Sequence, residues 1–280
     1  MGAVYRAEDV KLESIVAIKK MFNNASDPDE QKRTEEMFKR EAKILSAIKN
    51  PGVVKIFDYD FDKDNDTHYI VMEYVDGEPL SNHISRKSLS LAQKIEVIRQ
   101  IAEILHDVHK AGVLHRDIKP ENILVKDDLS VKITDFGISR MSDSSLTMTK
   151  DLIGSPLYMS PESFESMKSL DERSDIFSLG ILSYELLTGA KAFDGKNVFQ
   201  VIEAIKNAHP SKPSKINPEI PSWLEDMLAK MLAKKPADRF SSAEQITKCI
   251  RHYTEEPVAP ALTITSKIIK SMLFVKKAWS

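Results

Sequence analysis

The 280-residue chain reads as an α+β fold in two lobes, a small one built mostly of strands and a larger one built mostly of helices. Three observations predict it. Short β-branched and apolar runs crowd the first 75 residues. Apolar residues at helical spacing dominate from residue 91 to about 253. The two regimes meet near residues 74–78, just after Val71-Met72-Glu73. The expected division is therefore a lobe at 1–74, a lobe at 78–253, and a linker with tail at 254–280.

Taken in order, residues 3–7 and 14–20 read as strands, the second ending in Lys19-Lys20 after an apolar run. Ser26-Asp27-Pro28-Asp29-Glu30 is a helix-start signal, and Met37, Phe38, Ile44, Leu45 and Ile48 give a helix over 34–48. Strands follow near 53–60 and 68–75. Beyond them come a long amphipathic helix at 91–111 and short strands at 123–125 and 131–133 around Asp127-Asp128. Residues 138–160 are rich in Ser, Thr and Met without periodicity, so they read as a long loop, and long loops in compact domains are usually functional. Residues 174–188 suit a buried helix, with further helices at 197–207, 221–234 and 241–252.

Composition narrows the partners. Lys and Arg number 40 against 42 Asp and Glu, a net charge of −2, which does not favour nucleic acid. The single cysteine, Cys249, excludes an internal disulfide framework and fits a reducing compartment. No apolar run is long enough to cross a bilayer, and the first residues lack a secretory pattern. A cytoplasmic chain is expected.

The chemistry concentrates in His115-Arg116-Asp117-Ile118-Lys119-Pro120-Glu121-Asn122 and in Asp135-Phe136-Gly137. Phosphoryl transfer from ATP needs hard oxygen ligands for Mg²⁺, a carboxylate to take the hydroxyl proton, and cations to offset phosphate charge. Asp117 suits the base, Lys119 the charge stabiliser, and Asn122 and Asp135 the metal ligands.

These two motifs resemble the signature set of the eukaryotic-type serine/threonine protein kinases, and the likeness to bacterial members runs from Gly2 to about Tyr253. It implies ATP with Mg²⁺, or Mn²⁺ in its place, and protein substrates bearing Ser or Thr. It further implies that Lys19 in Val16-Ala17-Ile18-Lys19 holds the α- and β-phosphates and that Glu41 pairs with it. Met72 takes the gatekeeper position and Glu73-Tyr74-Val75 the hinge, with Val4, Ala17 and Leu124 around adenine. Glu162 in Ser160-Pro161-Glu162 is expected to pair with Arg239, and Asp175 to anchor the catalytic loop. Lys119 and Ser155 follow the serine/threonine pattern. Arg116 before Asp117 implies switching by phosphate in the activation loop, with Thr147 and Thr149 as sites of autophosphorylation, one copy acting on another. The alternative is a non-catalytic pseudokinase scaffold of the same fold.

The sequence departs from the family pattern in two places. The glycine-rich loop is met only at its last glycine, in Gly2-Ala3-Val4-Tyr5, so a weakened hold on nucleotide is expected. After the linker Glu255–Pro260, residues 266–279 mix Ile268, Ile269, Leu273, Phe274 and Trp279 with four lysines, which suits a helix packed on the large lobe or a disordered end, with contact to a membrane surface or a partner as the alternative. Two metal-like patterns carry less. Asp62, Asp64, Asp66 and Glu73 have calcium-loop spacing, but Thr67 stands where the sharp turn needs glycine, so a solvated hairpin tip is expected. His106 and His109 lie one helical turn apart, and a structural role for His109 is expected.

Overall fold

The computed structural model describes residues 3–10, 13–22, 43, 46–62, 67–136, 156–166 and 170–254. The small lobe is an antiparallel sheet of β1 (Val4–Asp9), β2 (Ser14–Phe22), β3 (Ile56–Asp62) and β4 (Thr67–Glu73), in the order β1-β2-β4-β3. Val16 and Ala17 are consecutive in the interior strand β2 and both are buried, so this strand is covered on both faces. Ala17, Val54, Ile70 and Met72 form the lobe's own apolar cluster, with Val75 packed against it.

The third strand starts later than its apolar run suggests. Val53 and Val54 leave the first sheet and join the backbone of the second: Val54 N–H donates to the Ile133 carbonyl at 3.1 Å, and Ile133 N–H donates to the Gly52 carbonyl at 2.7 Å. Backbone pairing, not side-chain pattern, thus sets this boundary. Gly52 permits the approach, because a β-carbon there would lie 2.2 Å from Ile104 Cδ1.

The second sheet is β5 (Glu78–Pro79), β6 (Ile123–Val125) and β7 (Val131–Ile133), again antiparallel. It underlies the cleft side of a helical lobe. A short helix α1 (Leu80–Arg86), which the sequence pattern does not announce, precedes α2 (Leu91–Lys110). Ser90 and Gln93 close a reciprocal cap at the start of α2, and Ile98, Ile101 and Leu105 form its fully buried stripe. Next comes α3 (Glu172–Thr188), apolar nearly all round and buried from Ser174 to Leu187, as its sequence predicts. Asp171 caps its start, and Gly189, with φ of 72°, ends it in the left-handed region that favours glycine. On it pack α4 (Val198–Asn207), through Val201 and Ile205, α5 (Pro213–Ile216) and α6 (Ser222–Met231), while α7 (Ala243–Thr254) packs chiefly along α2. Cys249 is half-buried against this core, and burial pushes its thiol pKa up, which suits packing rather than reactivity.

One buried ion pair locks this lobe. Arg239 donates to both carboxylate oxygens of Glu162, at 2.6 and 2.8 Å. Its remaining donors reach the carbonyls of Ala233, Lys234 and Arg173, so all five N–H groups are used. The guanidinium also lies 4.7 Å from the centre of the Phe177 ring. Lysine cannot reproduce this fork. Arg239→Lys is therefore expected to lower unfolding stability by about 3 kcal/mol, read by denaturant titration. A loss within the error of wild type would refute the assignment.

Candidate active site

The segment 115–122 has little regular structure, so something outside it must hold its shape. That is Asp175, in the first turn of α3 and 1% exposed. Its Oδ2 accepts from His115 N–H and from His109 Nε2–H, both at 2.8 Å, and its Oδ1 accepts from Arg116 N–H at 2.8 Å. Burial pushes this carboxyl up, but the hydrogen bonds from the His109 ring and from the His115 backbone N–H outweigh it and leave the pKa below its ordinary value. Arg116 sits at φ of 62°, a conformation that costs a non-glycine residue about 1–3 kcal/mol unless its surroundings impose it. The bond from its N–H to Asp175 is part of that imposition.

His115 links the segment to the strand beneath. Its Nε2 lies 3.0 Å from the Thr134 carbonyl, which can only accept, so Nε2 carries the proton. Its Nδ1 accepts from Asp117 N–H at 3.2 Å and is therefore unprotonated. The ring is fully buried and tilts against Phe136, with centroids 4.6 Å apart. Burial holds the imidazole pKa below its ordinary value, in line with this neutral form.

Around this hub the predicted residues converge. Lys119 Nζ donates to Asp117 Oδ2 at 2.7 Å. Asn122 is buried, and its amide NH₂ donates to the Asp117 carbonyl at 2.8 Å and to Asp117 Oδ2 at 3.0 Å. The register of the β6–β7 hairpin sets Ile123 opposite Ile133, and Thr134 N–H donates to the Asn122 carbonyl at 3.0 Å. The residue after Thr134 is Asp135, at φ of 57°. Across the cleft Lys19, at the β2 position opposite Ile70, donates to Asp135 Oδ1 at 2.7 Å. The Asn122 amide turns its NH₂ toward Asp117 and so presents its oxygen elsewhere. That oxygen and the Asp135 carboxylate are hard donors of the kind Mg²⁺ takes.

The residues expected around the base lie on β1, β2, β4 and β6 and in the link after β4. Ala17 and Met72 are buried and pair in register across β2 and β4. Leu124 lies between the inward-facing Ile123 and Val125 and is only half-buried, on the face of β6 turned from the helical core. Val75 is half-buried, while Val4 is 56% exposed on β1. Glu73 ends β4, with Tyr74 half-exposed after it. Ser160-Pro161-Glu162 is held from below by Arg239, and Tyr158 donates to Glu185 Oε2 at 2.6 Å, fixing the segment that leads into it. Glu41, Thr147, Thr149, Ser155 and the 266–279 tail lie outside the described residues, so the Lys19–Glu41 pairing lies outside them too.

Both metal-like patterns take structural roles where they are described. His109 bonds Asp175, and the Glu73 carboxylate is taken by Lys132 Nζ at 2.5 Å and Lys55 N–H at 3.2 Å. Asp64 and Asp66 lie outside the described residues. Lys132 is not legible as a site residue, because an isolated surface-type lysine carries no spacing signal, and Lys55 enters only through its backbone N–H, which no side-chain pattern reports.

The protein kinase domain profile matches residues 1–253. The chain belongs to the protein kinase family. It is 37% identical over 274 residues to a protein of Clostridium perfringens named as a probable serine/threonine-protein kinase, covering 95% of this chain and 38% of that one. It is 37% identical over 256 residues to the serine/threonine-protein kinase PrkC of Bacillus subtilis, covering 90% of this chain and 38% of that one. A Lactococcus lactis protein named as the probable kinase PknB is also 37% identical, over 88% of this chain and 39% of its own length. The kinase domain therefore spans well under half the length of these curated relatives.

Two expectations follow. Asp175→Asn replaces one acceptor oxygen by a donor that faces backbone N–H groups, so it is expected to lower the melting temperature by several degrees and phosphotransfer at least tenfold. Unchanged values for both would show that the loop holds its shape without this carboxylate. Histidine ¹⁵N spectra at pH 6 are expected to show His115 as the neutral Nε2–H form. Because its folded pKa is lowered, its contribution to stability is complete above about pH 6.5 and declines as pH falls below that value.

Proposed function

We propose that this kinase domain transfers the γ-phosphoryl group of Mg-ATP to Ser and Thr hydroxyls of proteins. The observation that carries this reading is the meeting of Lys119 and Asn122 on one oxygen of Asp117, with Asp135 and Lys19 joined across the cleft. Each residue alone is an ordinary loop or strand side chain. Together they supply a base, a cation and two hard oxygen ligands in one place.

Asn122 and Asp135 would hold Mg²⁺, or Mn²⁺, which would supply positive charge to the phosphate oxygens. Asp117 orients the substrate hydroxyl and takes its proton. Lys119, already 2.7 Å from Asp117, can turn its ammonium to the transferred group as negative charge develops. Lys19 exchanges Asp135 for the α- and β-phosphates, with Glu41 as its second partner. Glu73 and Val75 offer backbone groups to adenine, and Ala17, Met72, Leu124 and Val4 enclose its faces. Lys119 supports Ser and Thr over Tyr as acceptors. Switching is assigned to Thr147 and Thr149, phosphorylated by a second copy, with Arg116 as the group that answers the added charge.

Phosphotransfer to a generic basic protein is expected to fall about a thousandfold in Asp117→Asn, with phosphoserine and phosphothreonine as the wild-type products. Equal rates for wild type and variant would favour the scaffold. Phosphopeptide mapping after incubation with Mg-ATP is expected to find Thr147 and Thr149 modified, and to find neither in Asp117→Asn. An active enzyme with an unmodified loop would sink the switching assignment.

A further inference from the structure

The Glu73–Lys132 ion pair joins two lobes. Glu73 ends the last strand of the first sheet, and Lys132 is the middle residue of β7 in the second. They are 59 residues apart, their polar atoms are 2.5 Å apart, and their side chains are only 26% and 15% exposed. A contact so sheltered is not the loose surface pair that contributes little.

Three links converge on Glu73 and form a closed loop. Its N–H donates to the Lys55 carbonyl at 2.9 Å, and its carboxylate accepts from Lys55 N–H at 3.2 Å. The segment just before Lys55 is bonded in turn to Ile133 of β7 by its Gly52 and Val54 backbone. Lys132, next to Ile133, completes the loop by reaching Glu73. The end of β4 is therefore fixed to the second sheet both through 52–55 and through Lys132. Lys132 also stands opposite Leu124 in the β6–β7 register, so both side chains lie on one face of the hairpin. That face is the half-buried one, turned from the helical core, and carries the Leu124 side chain assigned above to adenine.

We propose that Lys132 is a positioning residue: through Glu73 it fixes the backbone of 73–75 relative to the Leu124 face and so sets selectivity for the adenine base. The inference rests on the nucleotide-binding reading above and deepens it. Lys132 touches no reacting atom in this scheme. Its effect lies on the base, not on the phosphates, which Lys19 and Asp135 serve.

The test measures equilibrium binding of ATP and of GTP, each with Mg²⁺, to the full chain. Wild type is expected to prefer ATP. Lys132→Met is expected to weaken ATP about five- to tenfold and GTP by less than twofold, so that base preference shrinks. Glu73→Gln should give a similar loss, and the double variant should be no worse than either single one, since each breaks the same link. Lys132→Arg retains the charge and should restore most of the preference; with Glu73→Gln it carries the test if Lys132→Met does not fold. Equal losses for ATP and GTP, additive single effects, or an unchanged ratio would each overturn the proposal, as would a wild type without base preference. Phosphotransfer is measured separately: ATP preference without transfer would sink the kinase reading and leave the strut standing.

Discussion

The carboxylate of Asp175 is the interaction on which the site depends. It sits in the first turn of a helix buried along nearly its whole length, and from there it grips two consecutive backbone N–H groups of the catalytic loop. The loop has almost no regular hydrogen bonding of its own, and Arg116 holds a strained backbone angle. A rigid acceptor inside the core converts that loop into a defined surface. His109 shares the burden by giving Asp175 a third donor, so a buried charge is fully satisfied and not left as a liability.

From that anchor the order passes outward by short steps. Asp175 holds His115, and His115 bonds the Thr134 carbonyl and the Asp117 N–H. Thr134 places Asp135 and bonds Asn122, whose amide returns to Asp117. Two stretches distant in sequence thus become one lattice of hydrogen bonds, in which the side chains of His115, Asp117 and Asn122 each make two bonds. Such constraint matters because catalysis by position and charge loses steeply with small displacements. The neutral tautomer of His115 belongs to the lattice, since a second ring proton would meet the Asp117 N–H.

The cleft side is held differently. There the partners are charged pairs, Lys19 with Asp135 and Glu73 with Lys132, each crossing between the lobes. The first involves two groups assigned to phosphate and metal, so it is made to be exchanged. The second involves no group of the chemistry and is the more sheltered on the lysine side, which suits a permanent tie. The Arg239–Glu162 pair, with every guanidinium donor engaged, does the same service under the segment that follows the activation loop.

The sequence by itself determined the two-lobed α+β class, the helices at 91–111 and 174–188, and the residue types of the chemistry. These are local signals: apolar periodicity, capping residues and motifs of fixed spacing report on neighbours within a few turns of chain. The tertiary structure decided where the third strand begins, because Val53 and Val54 pair with a strand some 80 residues away and not with their own sheet. It decided the tautomer of His115, which depends on a carbonyl from another segment. It alone exposed Lys132 beside Glu73, because partners of an ion pair 59 residues apart leave no periodicity to detect, and the Lys55 N–H, a backbone donor that no side-chain pattern marks. The same holds for the Lys19–Asp135 contact, 116 residues long in sequence, which only the closing of one lobe on the other can bring about.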